Sequence, residues 1–290
     1  MTRQPKGTEI GLFVVGNRLA ERDAHMPRII AVANQKGGVG KTTTVVNIAT
    51  NIAISGKRTL LIDLDPQGNA TTGLGVDSKS VESSSYNVLV QQLPISAARV
   101  ETVVEGLDLV PATMDLAGSE VELVPMFSRE LRLRSAISLI SNEYDYIFID
   151  CPPSLGLLTV NSLAAATEVI VPLQCEYYAL EGLSQLLNNV ELIQENLNAD
   201  LRVSSIVLVM FDARTRLAQE VAQEVREHFG NLVLETVVPR SVRLSEAPSY
   251  GKPVELYDPT SSGALAYREV AKEVAGRNRT GPQDMSERSL

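Results

Sequence analysis

Cysteine is scarce in this chain: only Cys151 and Cys175 occur among its 290 residues. No disulfide framework is therefore implied, a reducing cytosol fits, and both read as core thiols. The two histidines, His25 and His228, are too scattered to form a zinc signature with them. No apolar run approaches the length of a membrane span. Basic charge is not in excess either: the formal net charge of −9 argues against a generally basic nucleic-acid coat, though not against a local basic face. Near-average proline and glycine, 14 and 19 residues, exclude fibrous and low-complexity classes.

What is present is ample core material, with 44% hydrophobic residues, in a length that allows one large domain or two small ones. Residues 1–27 read as a flexible N-terminal extension, with translation from Met26 as the alternative. Within it, Arg3 and Lys6 precede an apolar stretch at 10–15 that faintly resembles a secretory signal, but no small-residue cleavage site follows. The polar stretch 277–290 reads as a disordered tail. Between them strands and helices alternate. Expected strands are 29–33, 59–63, 107–111, 146–150, 168–172, 205–210 and 233–238. They are β-branched and apolar on both faces, as buried parallel strands should be. Helical patterns cover 42–54, 130–141, 179–196 and 217–229, with a closing helix at 263–273. Gly56 suits a C-terminal cap, and 76–86 is a Ser-rich surface connection.

The most informative stretch is Lys36-Gly37-Gly38-Val39-Gly40-Lys41-Thr42-Thr43, between an apolar strand and a helix. That is the context of a phosphate-binding loop. Glycines let backbone N–H groups approach phosphate oxygens, and the helix start adds free N–H groups and its positive dipole end. Lys41 reaches the β- and γ-phosphates, and the Thr42 hydroxyl ligates Mg²⁺. The common pattern has glycine where Gln35 stands, and here an extra lysine, Lys36, begins the loop. A second loop cation can act from a neighbouring subunit, reciprocally across a two-fold dimer; a solvated surface lysine is the plainer reading. The expected fold is one α/β domain over 28–276, P-loop NTPase-like, with a mostly parallel β-sheet flanked by helices and ligands at the carboxyl ends of the strands.

Two further elements fit a nucleotide site. In 146–153 an acidic residue, Asp150, ends a buried strand, where it can hold the Mg²⁺ shell directly or through water; capping the next turn is its alternative. Pro152, Pro153 and Gly156 could stiffen a loop that senses the γ-phosphate. In 61–69, Asp63 and Asp65 lie at a strand end. Asp65 is placed to orient the attacking water. Asp63 supports the loop or the Mg²⁺ water shell, and both could simply form the turn before Pro66 and Gly68.

The segments KGGVGKTT, LIDLDPQGNAT, YIFIDCPPSLG, QCEYYALEGL and VVPRSVRLSEAPSYGKP, in that order, resemble the ParA family of chromosome-partitioning ATPases, its Soj-like branch above all. The resemblance runs from about 27 to 274. It implies an ATP- and Mg²⁺-dependent homodimer that binds double-stranded DNA non-specifically, with free or ADP-bound protein monomeric. It implies a ParB-type partner that stimulates hydrolysis, and a cytoplasmic, nucleoid-associated location. By motif position, Lys36 is the signature lysine, Lys41 the phosphate lysine and Thr42 the magnesium ligand. Asp65 is the hydrolysis residue and Asp150 the magnesium-shell carboxylate. Met210, Pro239 and Ser241 lie near the adenine; relatives often carry Asn where Ser241 stands.

Basic residues cluster after the later strands. Arg214 and Arg216 follow one of them, and Arg240, Arg243 and Lys252 lie in a Pro-rich, loop-like stretch with the single acid Glu246. This reads as a phosphate-backbone footprint, with a solvated charged rim as the alternative. The resemblance favours Arg214 and Arg243. Three rivals fit less well. A MinD-type membrane-positioning ATPase needs a basic amphipathic C-terminal helix, and 277–290 has no apolar face. A metabolic enzyme on the same scaffold, such as an ATP-dependent amide ligase or an iron protein, is the second rival; the iron protein needs cluster-bridging cysteines, a placement that Cys151 and Cys175 do not meet. A repressor needs a helix-turn-helix that 1–27 does not supply.

Overall fold

The computed structural model describes residues 26–177 and 179–277; the expectations for 1–25 and 278–290 lie outside them. In chain order the elements are β1 Arg28–Val32, α1 Lys41–Ile54, β2 Thr59–Asp63, α2 Asn69–Gly73, α3 Ser85–Gln91, α4 Ile95–Ala98, β3 Val100–Glu101, β4 Leu107–Val110, α5 Leu116–Leu123, α6 Arg132–Ser138, β5 Tyr146–Asp150, α7 Leu157–Ala165, β6 Glu168–Gln174, α8 Ala179–Asn196, β7 Arg202–Val209, α9 Arg216–Phe229, α10 Val242–Glu246, α11 Val254–Tyr257 and α12 Ser262–Gly276. The strands form one sheet in the order β3-β4-β2-β5-β1-β6-β7. Every pairing is parallel except β3 with β4.

Alternation along each strand feeds two cores. Ile30 and Val32 of β1, Leu61 of β2 and Phe148 of β5 face α1 and α12, where they meet Ile48, Ile52, Tyr267 and Val270. Ala31, Ile62, Ile147 and Ile149 face the other way, against α6, α7, α8 and α9. In α1, Val45, Ile48, Ala49 and Ile52 are all buried. Their i, i+3, i+4, i+7 spacing makes the apolar stripe that holds a helix to a sheet. Gly56, at φ 87°, follows that helix with the left-handed backbone expected of a cap.

Several expectations need correction. Residues 233–238 are no strand; they meet β7 through the isolated bridge Ile206 to Val233 and through Leu234 N and Val238 N, which donate to Ile206 O at 2.9 Å and Leu208 O at 2.8 Å. They are apolar because they line the edge of β7, so burial mimicked a strand pattern. The helix expected at 130–141 spans only α6. The short helices α2, α5 and α7 occupy stretches to which no element was assigned, and α10 with the 3₁₀ turn Ala247–Tyr250 replaces the loop expected around Arg243. Arg277 does not begin a free tail. Its Nη1 donates to Ser204 O at 2.6 Å and Leu232 O at 3.2 Å.

At the end of the sheet opposite the phosphate loop, Arg28 grips Glu168. Nε and Nη2 donate to its two oxygens at 2.8 and 2.7 Å, Nη1 donates to Val274 O, and Arg202 stands 3.5 Å away. Burial would raise the Glu168 carboxyl, but the Arg28 bonds and charge, with Arg202, outweigh it and hold the group below its ordinary value. Breaking a buried pair leaves an uncompensated charge, so Glu168→Gln should lower the unfolding free energy by about 3–5 kcal/mol in urea titrations at neutral pH. Because the folded pKa is depressed, the native contribution is complete above the ordinary carboxylate value of about 4.3 and is lost as pH falls below it. The gap between variant and wild type should therefore narrow in acid.

Candidate functional site

Parallel register builds the site. Val32, the last residue of β1, lies opposite Asp150, the last of β5, and Asp150 lies opposite Asp63, the last of β2. The connection from β1 crosses to one side of the sheet and that from β5 to the other, so a crevice opens between their carboxyl ends.

The phosphate loop starts in that crevice. Asn34, buried, donates to Pro172 O at 2.8 Å and accepts from Lys36 N at 3.0 Å, which ties the loop root to β6. Gly40, at φ 78°, precedes α1 in a left-handed conformation that a side chain would strain. The helix's first backbone bond is Thr44 N to Gly40 O at 2.9 Å. The N–H groups of Lys41, Thr42 and Thr43 therefore have no intrahelical partner and face the crevice with the positive end of the helix dipole.

Charges of both signs are packed here. Lys41 is buried, and its Nζ donates to Lys36 O at 3.2 Å. Burial lowers its pKa, while Asp150, Cys151 and Asp65 act in the opposite sense. Asp150 is fully buried, and neither carboxylate oxygen has a hydrogen-bond partner. Burial, then the neighbouring Asp63 charge, pushes its carboxyl well above the ordinary range. The Thr42 hydroxyl and Lys41 partly offset this, though the hydroxyl forms no bond of standard geometry. Asp63 is also fully buried, but its oxygens are engaged. One accepts from Asp65 N at 3.1 Å, and the other from Thr71 N and Oγ1 at 2.9 and 2.7 Å. Burial raises it to about 6, with the Thr71 and Asp65 N–H bonds opposing and the Asp65 charge adding to the rise.

Asp65 lies just past β2, nearly buried, and lines the cleft while its Oδ1 accepts from Gln67 N at 2.9 Å. Lys36 points elsewhere. Its half-exposed Nζ is 2.8 Å from Glu176 Oε2, and Gln174 Nε2 donates to the other Glu176 oxygen at 2.6 Å.

The cleft measures about 570 Å³. Its lining includes Gly37, Gly38, Gly40, Lys41, Thr42, Thr43 and Asp65, and also Met210, Pro239 and Ser241 with Leu244 and Pro253. Met210 adopts a positive φ of 51° at the end of β7, a strained backbone for a non-glycine residue.

The basic residues divide. Arg240 and Lys252 line the cleft itself. Arg214 and Arg216 lie at the start of α9 with side chains 87% and 90% exposed, paired with Asp212 and Glu220. Arg243, on α10, is paired with Glu246 at 2.8 Å and Asp258 at 3.2 Å. Backbone bonds stitch the two stretches together: Phe211 N donates to Val238 O at 3.0 Å and Arg240 N to Phe211 O at 3.1 Å. Cys151 and Cys175 are buried free thiols, with burial pushing Cys151 up to about 12 and Cys175 to about 11.

Sequence reasoning missed Asn34, Asn47, Thr71 and Glu176. Asn47 lines the cleft and accepts from Val254 N at 2.9 Å. Thr71 and Glu176 lay inside recognised segments, but their bonds to Ala112 and Lys36 join residues distant in sequence, for which spacing carried no signal.

Fold and site together define an α/β nucleotide-binding protein of the phosphate-loop class. A family model described as "AAA domain" matches residues 27–203. The sporulation initiation inhibitor protein Soj of Bacillus subtilis is 57% identical over 250 residues, 86% of this chain and 99% of that protein. The chromosome partitioning protein ParA of Myxococcus xanthus is 52% identical over 255 residues, 88% of this chain and 90% of that protein. A solved structure of cobyrinic acid a,c-diamide synthase from Mycobacterium smegmatis, with bound ADP and magnesium, superposes with TM-score 0.76 at 41% identity, covering 86% of this chain and 94% of that one. This chain belongs to the ParA/Soj family of chromosome-partitioning proteins.

The partnerless Asp150 carboxylate disfavours the free protein. Asp150→Asn should keep the fold, raise the melting temperature of the nucleotide-free protein by a few degrees, roughly 1 kcal/mol or less, and abolish the gain in nucleotide affinity that magnesium confers. Thermal melts and fluorescent-nucleotide titrations with and without magnesium check both.

Proposed function

We propose that this chain is an ATP-dependent DNA-partitioning ATPase. The observation that carries the reading is the crevice itself. In a ParA/Soj-family chain, Lys41, Thr42 and a buried carboxylate without partners, Asp150, meet at the start of a helix with free N–H groups. An orphaned carboxylate beside a hydroxyl is a donor set that fits magnesium, which favours few protein ligands and keeps waters and phosphate oxygens. Thr42 would hold it directly and Asp150 through water; the three bonds that Asp63 accepts favour a loop-holding role for Asp63 instead. When bound, magnesium neutralises charge on the β- and γ-phosphate oxygens.

Gly37 to Thr43 bind the phosphates of ATP, and Met210, Pro239 and Ser241 receive the base. Asp65 orients the water whose oxygen attacks the γ-phosphorus as the bond to the bridging oxygen breaks. Lys36 completes the site from a second copy: its pairing with Glu176, away from Lys41's cleft, supports a role other than gripping phosphate in its own subunit. The ATP-bound homodimer binds double-stranded DNA without sequence preference. Arg214 and Arg243 contact phosphates, and Arg240 and Lys252, at the cleft, join the footprint to the nucleotide. A ParB-type partner stimulates slow hydrolysis, and release resets the cycle in the cytoplasm on the nucleoid.

The likeness to a diamide synthase motivates a second reading, ATP-dependent amide formation. DNA co-sedimentation with ATP, ADP or no nucleotide separates the two, since only partitioning requires ATP-specific DNA binding. A MinD-type membrane role is disfavoured in the described residues because the apolar face of α12 is buried in the core. Lys36→Ala should bind ATP within about threefold of wild type yet remain monomeric and fail to hydrolyse it, by light scattering and phosphate release. A normal ATP-induced dimer with normal turnover would remove Lys36 from the site. Arg243→Ala should keep ATP-dependent dimerisation and lose DNA affinity equally on two unrelated duplexes, its salt slope lower by about 1 per subunit.

A further inference from the structure

Thr71 is fully buried on α2 and has no part in the roles above. A hydroxyl inside a helix usually bonds back to a carbonyl of its own preceding turn. This one does not. Oγ1 donates to Asp63 Oδ2 at 2.7 Å and accepts from Ala112 N at 2.9 Å, just beyond β4. The Thr71 N–H donates to the same Asp63 oxygen at 2.9 Å. The other Asp63 oxygen accepts from Asp65 N at 3.1 Å. A buried line of hydrogen bonds thus runs from the end of β4 through Thr71 and Asp63 to the backbone of Asp65.

Each link fixes a different freedom. The Asp65 side chain is held within its own turn by Gln67 N. Leu64 N, donating to Asp150 O at 3.1 Å, ties the start of that turn to β5, and Asp63 holds the Asp65 backbone itself, with Thr71 gripping the other Asp63 oxygen twice. Thr71 is in turn anchored to a strand end by Ala112. Only a group that donates and accepts at one atom can do this. Serine retains that capacity, and valine, of the same shape, has none.

We propose that Thr71 is a positioning residue for hydrolysis, setting through Asp63 where the Asp65 carboxylate stands; this rests on the reading of Asp65 as the water-orienting group. A residue that only stabilised the fold would change stability and nucleotide affinity together. One that positions Asp65 changes the chemical step and leaves affinity alone.

The test uses the full chain with Thr71→Val, Thr71→Ser and Asp65→Ala. Single-turnover ATP hydrolysis, KM and fluorescent-nucleotide affinity are measured, with circular dichroism to confirm folding. Because a displacement near 1 Å costs on the order of a hundredfold, Thr71→Val should lower kcat roughly ten- to a hundredfold with KM and affinity within about twofold, and Thr71→Ser should recover most of the rate. If Thr71→Val does not fold, Thr71→Ala carries the same comparison. Wild-type turnover in Thr71→Val beside an inactive Asp65→Ala would overturn the positioning role and leave Asp65 in place. So would joint loss of rate and affinity that serine does not rescue. Wild-type turnover in Asp65→Ala would instead remove the reading of Asp65, and the proposal with it.

Discussion

Level strand ends are the constraint on which this molecule depends. Parallel pairing with no slip between β1, β5 and β2 brings Val32, Asp150 and Asp63 to one line across the sheet. A one-residue shift in either pairing would turn a carboxylate from one face to the other. With the register fixed, the phosphate loop leaves from the β1 end of that line, and two acids from remote parts of the chain complete the line beside it.

The line concentrates charge where water is excluded, and the fold compensates unevenly. Asp63 receives three hydrogen bonds and becomes part of the scaffold. Asp150 receives none. Lys41 is desolvated and held by a backbone carbonyl. Such an arrangement is poor for the stability of the free protein and good for receiving a polyphosphate with its cation, which supplies what each buried group lacks. The contrast with Glu168 is instructive. That acid is equally buried, but Arg28 matches both its oxygens, so its pKa is depressed and it serves the fold alone.

The cleft wall at Pro239 and Ser241 is built differently, from segments rather than strands. Residues 233–241 run beside β7 without joining the sheet, and the bonds around Phe211 tie them to the start of α9. The cleft-lining Met210 and Pro239 and the exposed Arg214 thereby share one backbone unit. Acids pair with Arg214 and Arg243 at the surface, where such pairs contribute little to stability.

The sequence by itself determined the class of fold, the phosphate loop with Lys41 and Thr42, and Asp150 as a strand-end acid. These signals are local: a glycine-rich loop between an apolar strand and a helix needs no distant residue to be recognised. Six of the seven expected strands stand in the sheet for the same reason. Only the tertiary structure decided the rest. It showed that 233–238 is apolar yet outside the sheet, and it distinguished Asp63, whose oxygens accept three bonds, from Asp65, which lines the cleft. It also divided the basic residues between cleft and surface. Thr71 and Ala112, which bond each other, and Phe211 and Val238, which do the same, lie far apart along the chain. Hydrogen bonds between such residues have no period or spacing to read, because they exist only once the sheet has set its register.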